Sequence, residues 1–190
     1  MLDTLSFEDC THCHFSPADD YLVLSSPTKI AVYDCSSDSF SLADEYSLSG
    51  VHEARFSPNG KYIAVGTDSG LYLLKWDGSS LSVSTTYSTP KAVERVAWEP
   101  TGEQLVACEA GGTEDHSLYY FQFVDGCLTL LDTYAGSEGF SWCDASRTGE
   151  SSLNIKSLNA MVVHSDGQWS IDEHGYSAFC VDPRFRTFHI

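Results

Sequence analysis

The chain has 190 residues, 42% of them apolar and 13% aromatic, enough to bury a core of domain size and too many for a disordered polymer. Its 27 acidic and 10 basic side chains leave a formal charge of −17. That field repels nucleic acid and anionic membranes, which bind proteins through Lys and Arg, so neither is expected as a direct partner.

The first ten residues, "MLDTLSFEDC", lack the basic start and apolar stretch of a signal peptide. No run in the sequence reaches the roughly 18 apolar residues of a membrane helix, so no membrane insertion is expected. The seven cysteines are odd in number and scattered through apolar segments. They read as small core residues of a protein in a reducing compartment, cytoplasmic or nuclear.

The first motif is "CTHCH", Cys10–His14. Cys-x-x-Cys-His is the spacing of c-type haem attachment. It runs into Phe15, a turn "SPADD", an apolar strand "YLVLS", a strand "KIAVYD" ending at Asp34, and the alternating "FSLADEYSL". The same order returns at Phe56: "SPNG", "YIAVG", "LYLLKWD" ending at Trp76-Asp77, and "SLSVSTTYS". It returns at Trp98 with "EPTG", "QLVAC", "LYYFQFVD" ending at Asp125, and "CLTLLDTYA". A weaker fourth unit runs through Cys143, "LNIKS", "AMVVHSD" ending at Asp166, and "QWSIDE". The closing "SAFCVDPRFRTFHI" begins a fifth, aligned on Val181. The anchors lie 41, 42, 45 and 38 residues apart, a period that holds four short strands and their turns. β-branched and aromatic residues alternate with period two, and turn signals recur every eight to twelve positions, so strands are expected throughout.

The segment "FSPNGKYIAVGTDSGLYLLKWDG" resembles the core of a WD40 repeat, with Trp76-Asp77 as its signature dipeptide. Phe15, Asp34, Phe56, Trp98, Asp125 and Asp166 take the corresponding signature places in the other units. The resemblance implies an all-β propeller of four-stranded antiparallel blades, at about 5–49, 50–89, 90–134 and 135–173, with a partial fifth at 174–190. Only one unit carries Trp-Asp, and no Gly-His dipeptide precedes an innermost strand, so the hydrogen-bonded tetrad of regular WD40 blades is not expected. Lactonase-type seven-bladed propellers share the strand–Asp–Gly–strand cadence of "SLYYFQFVDGCLTLLDTY" and form a second point of resemblance.

Aligned on the anchors, Cys10–Phe15 lies over Val51–Phe56 and Val93–Trp98, so the haem-like motif occupies an innermost strand. Side chains on a strand alternate faces, so Cys10 and Cys13 point opposite ways and cannot both reach one porphyrin edge. Cys10, His12 and His14 do share a face; packing against the next blade is favoured over metal ligation, and no cofactor is expected. The polar insertion "EAGGTEDH" is the candidate partner-binding loop, through Glu109, Glu114, Asp115 and His116. "SEGFSW", Ser137–Trp142, places two aromatics where a channel mouth would lie. Residues Leu2–Phe7 are a candidate outer strand closing the ring.

Four units and a fragment leave a blade face without a neighbour, so an incomplete ring is expected. It would belong to a longer propeller or be completed by other protein chains, homo-oligomeric or hetero-complexed, in preference to closing alone as an unusually small ring with a defective last blade. The expected function is a non-catalytic interaction scaffold. The competing class is a lactonase-type enzyme, which requires His, Arg and Glu to converge at one end of the channel; Arg55, Arg95 and Glu53 lie on the innermost strands.

Overall fold

Each of the first four units of the repeat folds into one antiparallel sheet whose strands follow chain order. The computed structural model describes residues 4–109, 116–136, 140–145, 151–156, 160–165 and 168–172, with side-chain surroundings over 4–109 and 117–135. Sheet 1 holds β1 (His12–Phe15), β2 (Tyr21–Ser26), β3 (Lys29–Asp34) and β4 (Ser41–Ser47). Sheet 2 holds β5 (Val51–Phe56), β6 (Tyr62–Thr67), β7 (Gly70–Trp76) and β8 (Leu81–Ser88). Sheet 3 holds β9 (Val93–Trp98), β10 (Gln104–Glu109), β11 (His116–Val124) and β12 (Cys127–Gly136). Sheet 4 holds β13 (Phe140–Ala145), β14 (Ser151–Lys156), β15 (Ala160–Ser165) and β16 (Gln168–Asp172). No helix occurs among the described residues. The segment 174–190 lies outside them, as do Leu2 at the start and Asp166 in the fourth unit. The described residues Thr4–Phe7 form no strand, contrary to the closing strand expected there.

The turn after each anchor shows why the units repeat. Asp19, Gly60 and Gly102 stand four residues after Phe15, Phe56 and Trp98, with φ of 59°, 69° and 78°. Their amides donate to the carbonyls of Ser16, Ser57 and Glu99 at 3.0, 2.9 and 2.9 Å. Glycine reaches this left-handed conformation without strain, and aspartate is among the few side chains that tolerate it.

Register aligns the sheets residue by residue. Phe15, Leu22, Tyr33 and Leu42 form a cross-strand row in sheet 1. Phe56, Ile63, Leu74 and Val83 form the same row in sheet 2, and Trp98, Leu105, Phe121 and Leu130 in sheet 3. The amides of Cys35, Trp76 and Phe123 make one equivalent bond each, to the carbonyls of Asp20, Lys61 and Glu103, at 2.8, 2.8 and 2.7 Å. The structural counterparts of Trp76-Asp77 are therefore Cys35-Ser36 and Phe123-Val124. Asp34 stands one residue before its unit's Cys35, and Asp125 two residues after Phe123. A bulge falls at one place on each of the first three outermost strands, leaving Ala43, Ser84 and Leu131 unpaired. Such bulges twist an exposed edge away from pairing with another chain.

The core lies between sheets. Val23, Ile30 and Val32 of sheet 1 pack on Ala54, Phe56, Ile63, Leu74 and Trp76 of sheet 2. The other face of sheet 2, with Ala64, Leu71 and Leu73, packs on Val96, Leu105, Tyr119 and Phe121 of sheet 3. Phe56 is 3% exposed and Trp98 is half-buried against Phe123, their rings edge-to-face at 5.2 Å. Phe15, expected to anchor a buried strand, is 49% exposed, and no sheet among the described residues covers its side of sheet 1. β5 neighbours β1, β9 neighbours β5 and β13 neighbours β9, but no contact of similar extent joins β13 to β1. The innermost strands trace an arc.

Candidate functional site at the start of the innermost strands

Because β1, β5 and β9 start at the same end of the arc, their first residues meet there. Thr11, His12, Val51, His52, Glu94 and Arg95 line a cleft of about 350 Å³, with Pro27 and Asp68 contributed by the turns after β2 and β6. His52 Nε2 lies 2.7 Å from Asp68 Oδ1. Gly50 makes that pairing possible: its φ is +69°, and a Cβ there would stand 2.4 Å from Asp68 Oδ2. The Thr11 hydroxyl donates to the Ser25 carbonyl at 3.0 Å. His12 Nδ1 is buried and has no hydrogen-bond partner among the described residues. Asp68 remains largely exposed, so the cleft offers an acceptor at its rim and an imidazole in its wall.

Deeper along the same strands, Glu53 is 2% exposed. One oxygen accepts from Arg55 Nε at 3.0 Å, the other from the Val96 amide at 2.8 Å. This carboxylate fastens sheet 2 to sheet 3. His14 faces the same pair: burial lowers its pKa first, the Arg55 charge lowers it further, and Glu53 partly offsets both. Asp44 plays a similar fastening role at the outer edge, accepting from the Leu81 amide at 2.7 Å, and Ser84 donates to the Gly126 carbonyl at 2.8 Å.

Several candidate residues serve the fold instead. Glu109, expected in a partner-binding loop, is 2% exposed. It accepts from the Tyr119 hydroxyl at 2.7 Å, the Ser117 amide at 2.9 Å and the Lys91 amide at 3.3 Å. Its carboxylate closes the base of the insertion and is not free for a partner. Glu114 and Asp115 lie outside the described residues, and His116 opens β11 with its side chain outside them. Ser137–Gly139 also fall outside, and only the backbone of Phe140–Trp142 is described. Asp77 accepts from the amides and hydroxyls of Ser79 and Ser80 at 2.8–2.9 Å, which holds its carboxyl far below the usual range. Asp34 accepts likewise from Ser36. Both carboxylates shape turns. Cys10 lies before β1 and is exposed, and among the described residues no three of His, Cys, Asp and Glu are grouped to hold a metal ion.

At the opposite end of the sheets, a groove of about 490 Å³ runs between the turns at Ser16–Asp20 and Pro58–Lys61, walled by Lys75 and Trp76. Tyr21 meets Trp76 there edge-to-face at 5.2 Å, and its hydroxyl donates to the Gly78 carbonyl at 3.2 Å.

No protein-family model matches the sequence, and no curated protein is similar to it. Solved structures do match. The fold is that of Sqt1 from Saccharomyces cerevisiae at a TM-score of 0.73 and 13% identity, over 85% of this chain and 47% of that one. The β-propeller domain of Cps50 (Swd1) from Myceliophthora thermophila matches at 0.65 and 14%, over 82% and 51%. The fold is a β-propeller. A putative 6-phosphogluconolactonase from Bacteroides uniformis matches at 0.68 and 18%, over 86% and 54%. WD40 and lactonase-type propellers are thus both among the neighbours, as the two sequence resemblances imply. The chain spans about half the length of each, and its four sheets are blades of an open ring.

Proposed function

We propose that the chain is a non-catalytic scaffold that holds protein partners, working as part of a larger propeller or assembly in a reducing compartment. The carrying observation is how its buried acids are used. Glu53 and Glu109 are each committed to amides and side chains of the fold. What the cleft presents to solvent is the exposed Asp68, one oxygen of which meets His52, with Glu94 beside it, in an acidic chain suited to a basic partner segment.

The enzyme reading draws support from the same cleft, which His12, His52, Glu94 and Arg95 line together. The two readings separate in one pair of assays. Affinity capture with the intact chain is expected to retain a partner that the Asp68→Lys/Glu94→Lys variant loses. Hydrolysis of 6-phosphogluconolactone above the buffer rate, abolished by His52→Ala, would instead establish the enzyme.

A further inference from the structure

The repeat supplies an internal standard for the groove between the turns at Ser16–Asp20 and Pro58–Lys61. The equivalent amides of Cys35, Trp76 and Phe123 bond to the carbonyls of Asp20, Lys61 and Glu103, and one residue earlier stand Asp34, Lys75 and Gln122. Of these three blades, blade 2 alone places two cations and an indole at this edge. Both lysines are exposed and neither forms an ion pair among the described residues. The polar acceptors that line the groove are engaged by its own turns. Asp20 accepts from the Ser16 hydroxyl at 2.6 Å, and Asp77 uses both oxygens on Ser79 and Ser80. Asn59 Oδ1 accepts from the Ser57 hydroxyl at 2.8 Å and the Lys61 amide at 3.0 Å, which leaves the side-chain nitrogen as a donor. One more donor is shut off from solvent: Trp76 is 3% exposed, and its Nε1 has no hydrogen-bond partner among the described residues. Blade 3 fills the equivalent place with Phe123, against which Tyr62 sits edge-on at 4.8 Å as Tyr21 does against Trp76 at 5.2 Å. A phenyl meets the packing need there, so packing does not explain an unpaired N–H.

The geometry points to a second docking site, one that takes a proline-rich segment of a partner protein with a carboxylate flanking its prolines. The groove offers donors beside apolar surface from Pro17, Pro58 and Tyr21. Proline has no N–H, so such a segment brings carbonyl acceptors and ring surface and few donors of its own, which is the complement of this lining. It is also extended before it binds, and it loses little freedom in an aromatic-walled groove. Its carboxylate meets Lys61 and Lys75. The chain's charge of −17 opposes a polyacidic segment, so the acids are few and placed at the prolines' flanks. One carbonyl takes the Trp76 N–H as the Tyr21 ring swings aside, releasing the exposed bond from its hydroxyl to the Gly78 carbonyl at 3.2 Å. The groove lies at the other end of the sheets from Asp68 and Glu94 and depends on neither.

The test is a titration of the full chain, labelled with nitrogen-15 at its tryptophan indoles, with the capped peptide Glu-Pro-Pro-Leu-Pro-Pro-Glu. One indole N–H resonance should move, the one that is missing from the spectrum of Trp76→Phe, a variant that copies blade 3. Lys75→Glu should weaken binding by about tenfold or more. Lys29→Glu, which changes the net charge equally at the far end of sheet 1, should change it by less than about twofold. The counterpart with lysine at both ends should bind more weakly than the glutamate peptide, and so should the one with alanine in place of every proline. A glutamate peptide that leaves the Trp76 resonance in place at about 1 mM overturns the inference. So does equal binding of the lysine or alanine counterpart, or equal losses in Lys75→Glu and Lys29→Glu. Inorganic phosphate moving that resonance where the peptide does not would make the groove a small-anion site and overturn it as well. None of these outcomes touches partner capture through Asp68 and Glu94, which is read separately.

Discussion

At the scale of single residues, function and stability divide the acidic side chains between them. Glu53 is the clearest fastener, since its two oxygens satisfy a guanidinium on its own strand and an amide on the next blade. Glu53→Ala strands both donors in a site from which water is excluded, and the expected cost is about 3 kcal/mol. Chemical denaturation measures it, and a loss under about 1 kcal/mol would mean that water replaces the carboxylate. His14 adds a pH dependence beside it. Its folded pKa is lowered below the ordinary 6.5 chiefly by burial, so between those two values the unfolded chain binds a proton that the folded chain refuses. That contribution to stability is present above pH 6.5 and fades as pH falls through the window beneath it. His14→Asn should show a shallower fall in Tm over that window than wild type, while the turn carboxylates Asp34 and Asp77, held low, titrate at more acid pH. None of these partnerships is local. Glu53 and Val96 lie 43 residues apart in sequence, and nothing in "VHEARF" announces that its acid will bond to the next repeat.

At the scale of strands and sheets, the repeat was legible because periodicity and turn chemistry are written locally. Alternation predicts the strands, and the Pro- or Gly-containing stretch after each anchor predicts the turns, which at the first three anchors carry a positive φ at the fourth position. The third strand was less legible. Its terminal acid attracts alignment, yet Asp34, Asp77 and Asp125 sit at different places relative to the ladder, because the turns after Cys35, Trp76 and Phe123 differ. Sequence matched the acids, whereas backbone hydrogen bonds match what precedes them. Burial of the anchor aromatics also depended on a neighbour, so Phe15 and Phe56 share a pattern but not an environment. Phe56→Ala should cost about 3–4 kcal/mol through the cavity it leaves, and Val83→Ala, at the exposed end of the same row, within about 0.5 kcal/mol. Trp98→Ala falls between them, at about 3 kcal/mol, because its half-buried indole also donates to the Arg55 carbonyl at 3.3 Å. Equal losses at Phe56 and Val83 in urea titrations would contradict the row. Gly66 marks where blades 2 and 3 come closest, since a Cβ there would stand 2.4 Å from the Val93 carbonyl oxygen. With backbone on the other side nothing can yield cheaply, and Gly66→Ala should lower Tm by more than Gly78→Ala, whose Cβ would meet nothing within 4 Å and whose only cost is the strain of a side chain at φ +95°.

At the scale of the whole molecule, the charge of −17 acts on every blade at once. Self-repulsion of that size opposes a compact state. Attractive pairs offset it weakly among the described residues: Lys29–Glu45 and His52–Asp68 are largely solvent-exposed, and Glu53–Arg55 alone is well buried. Salt therefore removes more repulsion than attraction. The Debye length falls from about 30 Å at 0.01 M to about 10 Å at 0.1 M, a change that reaches charges on neighbouring blades but not a buried pair in contact. Tm should accordingly rise by several degrees when sodium chloride is added from about 0.01 M to about 0.1 M, then level off once the Debye length is shorter than the spacing between blades. The Glu53→Gln variant should show the same rise from a lower starting Tm, since its missing bond lies inside the screening distance. A Tm that falls with salt would mean that ion pairs outweigh repulsion, and the acidity of the surface would then have to be read as a network that holds the arc together.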